Sequence, residues 1–128
     1  MDPAKVKRLI ICSGKVYYHL LEARMEREQE DVAFVRLEQL YPFPDDEFLS
    51  AVSAFKNIKS VAWCQEEPMN QGAWYSSQHH LRRLLKEAHP KLELEYVGRA
   101  ASAAPAAGYM STHLEEQNTF INEALTVK

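Results

Sequence analysis

The segment that follows the apolar stretch 60–64 is rich in side chains that could perform acid–base chemistry or bind a neighbouring surface. Its carboxylate and amide residues are Gln65, Glu66, Glu67, Asn70 and Gln71. Paired carboxylates act as general acid and base when their environments separate their pKa values. Carboxylates and amides also satisfy the backbone groups of a loop that packs against another domain. Both interpretations are open at this point. We favour the structural or interface role and assign no catalytic residue.

A second group of residues could bind an anion. Ser13, Gly14 and Lys15 lie between a predicted strand and a predicted helix, where free N–H groups and the positive end of the helix dipole attract phosphates and carboxylates. Lys15 adds a positive charge, and Arg8 or Arg36 could lie near the same edge of the sheet. The alternative is an ordinary capped helix, because the glycine spacing of a P-loop is missing.

Arg99 could contribute to the same anion site. It follows a predicted strand, so it would lie on the same edge of the sheet as Lys15 and Glu66. It also belongs to the alanine-rich segment 98–109, whose small side chains would let another surface come close. The alternative is a long connecting loop, which is uncommon in compact domains unless it has a function.

Two adjacent histidines, His79 and His80, precede Arg82 and Arg83 on a predicted helix. Neighbouring helix positions point about 100° apart, and metal-binding histidine pairs on helices are spaced four residues apart. We therefore predict no metal site here and expect one histidine to flank the core. The arginines could bind a partner or an anion, but a solvated helix surface is the favoured interpretation.

Hydrophobic periodicity and turn residues predict four strands that alternate with four helices. The predicted strands are Arg8–Cys12, Val32–Leu37, Ser60–Cys64 and Leu92–Tyr96. The predicted helices run from Lys15 to about Glu28, from Asp45 onward, from about Gly72 to Ala88, and after a capping Ser111. Ser13 and Gly14 are predicted to form the turn and cap before the first helix. This order predicts a largely parallel sheet between two helix layers, with the fourth strand near an edge.

Composition excludes several classes of protein. The chain has 128 residues, 46% hydrophobic and 26% charged, which is typical of one globular domain. A net charge of −3 favours neither nucleic acid nor an anionic membrane as a partner. The two cysteines, Cys12 and Cys64, each end an apolar run, so we expect buried reduced thiols. With no visible signal peptide or apolar run long enough to cross a bilayer, we expect a cytoplasmic protein.

Several longer motifs resemble one enzyme family. The stretches "CSGKVYYHLLEAR", "VRLEQLYPFP", "WCQEEPMNQGAWYSSQHHLR" and "YVGRAASAAPAAGYMSTHLEEQ" closely resemble the C-terminal part of the first component of the 2-oxoglutarate dehydrogenase complex. The likeness runs from about Arg8 to Leu125. It implies a three-layer α/β/α fold similar to the C-terminal domain of transketolase, with a mixed sheet of about five strands, one of them antiparallel.

The resemblance also implies an activity for the complete enzyme. Members of this family decarboxylate 2-oxoglutarate on thiamine diphosphate and magnesium and pass a succinyl group to a lipoyl arm, in the tricarboxylic acid cycle. This chain has no Gly-Asp-Gly motif for that cofactor. We therefore expect residues 1–128 to be a single domain excised from a much longer chain, with no cofactor bound and no activity alone.

Partners follow from the same resemblance. The family implies the remaining domains of the enzyme, the second subunit of a homodimer and the lipoyl succinyltransferase component, in the bacterial cytoplasm. Some members bind a nucleotide or acyl-CoA effector at this domain, and Ser13, Lys15 and Arg99 match positions expected to hold its phosphates. The segment 65–72 is expected to pack against the missing domains and the second subunit.

Two further hypotheses remain. The chain could be a stand-alone α/β module that binds a small phosphorylated ligand, or a small enzyme that uses Glu66 and Glu67 as acid and base. The leading hypothesis differs from both because it predicts exposed apolar surface where neighbouring domains belong.

Overall fold

Four parallel strands form the centre of the structure, a computed structural model that describes residues 2–99 and 110–127. The strands are β1 (Arg8–Cys12), β2 (Val32–Arg36), β3 (Ser60–Pro68) and β4 (Leu94–Arg99). The helices are α1 (Val16–Glu26), α2 (Asp45–Ser53), α3 (Trp74–Ala88) and α4 (Met110–Leu125), with a short 3-10 turn at Pro3–Lys5. The order across the sheet is β2-β1-β3-β4, and every neighbouring pair is parallel.

The sheet is covered on both faces, which confirms the predicted three-layer α/β/α fold. Along β1, Leu9 and Ile11 pack with residues of α2 and α3, while Ile10 and Cys12 pack with residues of α1 and α4. All five residues of β1 are buried. This double burial explains the near-continuous apolar sequence of the central strands, because alternation is expected only where one face meets water. The alternating strand β4 lies at the edge, as predicted.

A fifth, antiparallel strand was implied by the resemblance and is not among residues 2–99 and 110–127, whose four strands are all parallel. The predicted loop 98–109 lies outside the described residues except for Gly98 and Arg99, which belong to β4. In the described part of the chain, no helix has the length and apolar character needed to span a membrane.

Several boundaries differ from the sequence-based prediction. Strand β3 continues past Cys64 to Pro68, so residues 65–67 lie in the strand rather than in a loop. Strand β4 begins at Leu94 instead of Leu92 and extends to Arg99. Both strands are longer because they pair with each other across a bulge between Gln65 and Pro68, and this pairing depends on tertiary contact rather than on local sequence.

Both predicted serine caps were wrong. The N-cap of α1 is Lys15, and no side chain bonds to that cap. Ser111 lies within α4 rather than before it. Serine is only a statistical preference at the N-cap, and a turn of backbone–backbone hydrogen bonds can start a helix without it. Here the Gly14 carbonyl accepts from Tyr17 N–H at 3.3 Å.

Either Arg8 or Arg36 was expected near Lys15. Arg36 lies at that end of the sheet, whereas Arg8 lies at the amino end. Its side chain is fully buried. The Nε–H donates to the Ala124 carbonyl at 2.6 Å, and Nη1 donates to Ser60 Oγ at 2.9 Å and to Glu95 Oε2 at 3.0 Å. Strand β1 starts at Arg8 and ends at Cys12. Arg8 therefore lies at the amino end of the parallel sheet, and the Ser13–Lys15 turn lies at its carboxyl end.

The two cysteines are buried free thiols, as predicted. Cys12 of β1 and Cys64 of β3 are register partners in neighbouring strands. Burial raises the pKa of the Cys12 thiol to about 12, with Arg36 acting weakly in the other direction. Burial also raises the pKa of the Cys64 thiol, and nearby Cys12 adds to the rise.

Candidate functional site

The candidate site is the carboxyl rim, which we define as the residues at and after the carboxyl ends of the four strands. It comprises Ser13–Lys15 after β1, Arg36 at the end of β2, residues 65–72 at the end of β3, and Arg99 at the end of β4. Ligands of open α/β sheets bind at this edge because strand ends and helix N-termini converge there.

The Gln65 side chain organises the centre of the carboxyl rim. Only 2% of it is exposed. Its Oε1 accepts from the Trp63 indole N–H at 2.9 Å and from the Trp74 backbone N–H at 3.2 Å. Its Nε2 lies within hydrogen-bond distance of three carbonyl oxygens, those of Glu67 (3.2 Å), Pro68 (2.9 Å) and Gln71 (2.8 Å). One amide therefore joins β3, the following turn and the start of α3.

Two glycines let the backbone pack around this amide. Gly72 has a φ of +66°, and a Cβ there would lie 3.1 Å from Gln65 Oε1. A Cβ at Gly98 would lie 2.7 Å from both the Gln65 carbonyl oxygen and the Tyr96 hydroxyl. The turn is further closed by Met69 N–H, which donates to the Arg99 carbonyl at 3.0 Å. The rim is thus a tightly packed structure rather than an open loop.

The remaining polar residues of 65–72 face outward to different degrees. Glu66 is half-buried, whereas Glu67, Asn70 and Gln71 are exposed. The two carboxylates thus differ in burial, while the Gln65 amide is fully occupied by internal hydrogen bonds. The exposed side chains of Glu67 and Gln71 are accessible to another surface.

Tyr96 closes the rim on the β4 side. Its hydroxyl donates to the Arg99 carbonyl at 2.8 Å, and its ring lies 5.1 Å from the Trp74 ring, measured between centroids. Burial raises the pKa of Tyr96 to about 12; its hydrogen bond with Gln65 acts in the other direction, and Cys64 and Glu67 add to the rise. The phenol is therefore neutral at physiological pH and acts as a hydrogen-bond donor.

The predicted anion-binding residues lie on two sides of β3. Gly14 and Lys15 are exposed and Ser13 is half-buried in the turn after β1. Gly14 has a φ of +78° with open space where a Cβ would stand. Arg99 ends β4, and its Nε lies 3.3 Å from Glu116 Oε2. The structure places these groups at the carboxyl ends of β1 and β4, with strand β3 between the two strands.

Arg36 lies next to the Ser13–Lys15 turn, because it is the register partner of Cys12. Its guanidinium carbon lies 5.2 Å and 5.0 Å from the ring centroids of Tyr17 and Tyr18, and Nη1 donates to the Tyr18 hydroxyl at 3.2 Å. The sequence analysis did not identify either tyrosine as a site residue. The sequence signal that could have identified them is their position two and three residues after Lys15, in the first turn of the helix.

The histidine pair and the two arginines lie on α3, the helix that follows the carboxyl rim. His80 is half-buried and stacks on Phe43 with ring centroids 4.7 Å apart, while His79 is exposed. One histidine thus flanks the core and the other meets solvent, as predicted. Arg83 pairs with Asp45 of α2 at 2.9 Å.

The residues present do not fit a thiamine diphosphate–magnesium site. The sequence contains no Gly-Asp-Gly. Within residues 2–99 and 110–127, no three histidine, cysteine, aspartate or glutamate residues are grouped so that they could hold a metal ion. Magnesium sites use carboxylate oxygens together with phosphate oxygens, so we derive no chemical step through this cofactor for this chain.

Comparison with known proteins identifies the family. A family model described as "2-oxoglutarate dehydrogenase C-terminal" matches residues 1–125. The chain is 56% identical over 127 residues to the 2-oxoglutarate dehydrogenase E1 component of Azotobacter vinelandii, covering 99% of the chain and 14% of that relative. It is 48% identical over 126 residues to the E1 component of Haemophilus influenzae, covering 98% of the chain and 13% of that relative.

A eukaryotic relative shows the same relation. The chain is 42% identical over 125 residues to the mitochondrial 2-oxoglutarate dehydrogenase of Schizosaccharomyces pombe, covering 98% of the chain and 12% of that relative. The chain thus spans about one-seventh or less of the length of these relatives. With nearly every residue matched by the family model, and with the parallel α/β/α fold in place, the chain belongs to the 2-oxoglutarate dehydrogenase C-terminal family.

Proposed function

We propose that residues 1–128 form a single transketolase C-terminal-like domain of a longer E1 component. The complete protein decarboxylates 2-oxoglutarate on thiamine diphosphate and magnesium and transfers succinyl to the lipoyl arm of a succinyltransferase component. It does so in the cytoplasm, as part of the tricarboxylic acid cycle. The observation that carries this proposal is the 56% identity across 99% of the chain to a protein of which the chain covers 14%.

Within that enzyme, the chain supports the active site without forming it. Residues 2–99 and 110–127 contain no group of metal-binding side chains. The carboxyl rim presents the exposed side chains of Glu67 and Gln71 on a turn held by the buried Gln65 amide. The exposed aromatic side chain of Tyr41 adds apolar surface. We assign these features to contacts with the other domains and with the second subunit of a homodimer.

A chimaeric enzyme tests the proposal. The C-terminal segment of the Azotobacter vinelandii E1 component that aligns with this chain is replaced by this chain, and 2-oxoglutarate decarboxylation is measured. We expect the chimaera to keep activity within about tenfold of the parent. A truncated parent without the segment, and this chain alone with thiamine diphosphate and magnesium, are both expected to be inactive.

Two double variants test whether the carboxyl rim supports activity directly or only through the stability of the fold. Glu67→Ala with Gln71→Ala is expected to lower the activity of the chimaera while leaving the unfolding temperature of the isolated chain unchanged. Lys56→Ala with Lys59→Ala, at exposed positions away from the rim, is the control and is expected to change neither. Full activity of the rim variant would contradict the supporting role, and an inactive chimaera would contradict the proposed function.

We also propose that a nucleotide or acyl-CoA effector binds at Ser13, Lys15 and Arg99. The positive charges of Lys15 and Arg99 and the open approach over Gly14 support this. The carboxylate of Glu116 lies beside Arg99, so an anion would have to displace it. Calorimetry with acetyl-CoA and AMP tests the site: Lys15→Ala should weaken binding, and Lys59→Ala should not.

The same measurements distinguish the stand-alone binding module. That alternative predicts tight binding of a phosphorylated ligand by the isolated chain together with failure of the chimaera. Binding without a working chimaera would therefore replace the E1 proposal, and an active chimaera without binding would remove only the effector.

A further inference from the structure

Four residues on the outer face of α3 form a line of cationic and aromatic side chains that the proposed function does not use. We name this line the basic stripe; it comprises Tyr75, His79, Arg82 and Lys86. The spacings of four, three and four residues place these side chains on one side of a helix. His79, Arg82 and Lys86 are exposed, and Tyr75 is 56% exposed.

The two cations of the basic stripe form no ion pair in the part of the chain that the structure describes. Neither Arg82 nor Lys86 pairs with a carboxylate of residues 2–99 and 110–127. The positions three and four residues away from each of them in α3 contain no aspartate or glutamate. Arg83, by contrast, pairs with Asp45 at 2.9 Å, and Glu87 follows it by four residues.

This arrangement is costly for an isolated helix. Like charges four residues apart destabilise a helix by about 0.2–0.5 kcal/mol, and Arg82 and Lys86 have this spacing. A solvated helix surface normally mixes charges of both signs. The chain as a whole has a net charge of −3, so the basic stripe is a local reversal of its overall charge.

Arg82 is also held in place before any partner arrives. Its guanidinium carbon lies 5.5 Å from the centroid of the buried Trp74 ring, and Nη2 donates to Gln78 Oε1 at 3.3 Å. A side chain that is already ordered loses less entropy when it binds. Arginine and tyrosine together are the residue types enriched at the energetic centres of protein interfaces.

We propose that the basic stripe docks an acidic segment of another protein. Carboxylates of the segment pair with Arg82 and Lys86, which lie one helical turn apart, and its methylene groups pack on the exposed ring of Tyr75. Nucleic acid fits less well, because the stripe is one helix face with two full charges on an acidic domain, whereas phosphate backbones are bound by broader basic surfaces.

Charge reversal provides the test. The 128-residue chain is titrated against a fluorescent oligoglutamate peptide, with anisotropy measured at low and at physiological ionic strength. Arg82→Glu combined with Lys86→Glu is expected to weaken binding by at least about tenfold, as loss of close charge pairs does. The control, Lys56→Glu with Lys59→Glu, has the same net charge and is expected to bind within about twofold of the original chain.

The possible results of this titration distinguish specific docking from a change in folding and from nucleic-acid binding. The reversed pair keeps two like charges four residues apart, but it places a carboxylate in the last turn of α3, where the helix dipole favours a cation. Circular dichroism therefore checks that the variant remains folded before binding is compared. Unchanged binding in the stripe variant, an equal loss in the control, or no binding of the peptide at low ionic strength would each overturn the proposal. Tighter binding of a duplex DNA probe than of the peptide, lost in the same variant, would also overturn it, in favour of nucleic acid.

Discussion

At the residue scale, Gln65 shows why an amide occupies the centre of the carboxyl rim. Its oxygen meets two N–H donors and its nitrogen meets three carbonyl oxygens. Neither a carboxylate nor an apolar side chain matches this pattern, since a carboxylate only accepts hydrogen bonds and an apolar group does neither. The residue type is therefore determined by the backbone that surrounds it.

The first prediction concerns this amide. Gln65→Glu places a carboxylate oxygen against three carbonyl oxygens in a buried site, so the free energy of unfolding should fall by about 2–4 kcal/mol. Chemical denaturation at neutral pH measures it. Glu67→Gln, at an exposed position in the same strand, is the control and should stay within about 0.5 kcal/mol of the original chain. A Gln65→Glu variant as stable as the control would show that the amide pattern is not needed.

At the element scale, the last helix is attached to the sheet by side chains that bond to its final carbonyl groups. Arg8 donates to the Ala124 carbonyl, and Gln29 Nε2 donates to the Leu125 carbonyl at 2.6 Å. The last carbonyls of a helix have no partner within the helix, so these bonds replace a C-terminal cap. They also fix where α4 ends on the sheet.

The second prediction compares two arginines that both reach α4. Arg8→Met removes buried hydrogen bonds and should lower the free energy of unfolding by about 2–3 kcal/mol. It should also speed amide exchange in the last turns of α4. Arg27→Met removes only an exposed contact, in which Nη2 donates to Asn122 Oδ1 at 3.0 Å, and should cost less than about 1 kcal/mol. Equal effects of the two substitutions would contradict the role of the buried arginine.

At the scale of the whole molecule, burial of the sheet on both faces keeps two thiols out of water in adjacent strands. Each thiol has its pKa raised by burial. The folded state then holds the proton at pH values where the unfolded chain releases it, so folding is favoured below pH 9.0, the ordinary thiol pKa. This stabilisation is lost as the pH rises towards the folded pKa of about 12.

The third prediction concerns how the free energy of unfolding falls as the pH rises. Between pH 9.0 and about 12, the free energy of unfolding should fall with pH, and Cys12 should contribute about 1.4 kcal/mol per pH unit. In Cys12→Ala the slope should be shallower by that amount, although the chain is less stable at neutral pH because of the lost volume. Denaturant titrations across this range measure both slopes. Parallel curves would show that the Cys12 thiol does not titrate differently in the folded and unfolded chain.

The amino-acid sequence by itself determined the alternation of strands and helices, the burial of the central strands and the free cysteines. These features follow from local hydrophobic periodicity and turn residues, which need no knowledge of distant contacts. The motifs also pointed to the family, which the comparisons confirmed. The tertiary structure alone decided where β3 and β4 end, since their last residues pair only with each other across a bulge.

The roles of individual polar residues were likewise decided by tertiary structure. Gln65 connects the segments of the carboxyl rim through its buried amide. Arg8 is buried at the amino end of the sheet and bonds to the end of α4. Both roles depend on partners far away in the sequence or on backbone atoms that have no sequence signal. Hydrophobic patterning reports which side of an element is buried, but it does not report which carbonyl group a polar side chain will find there.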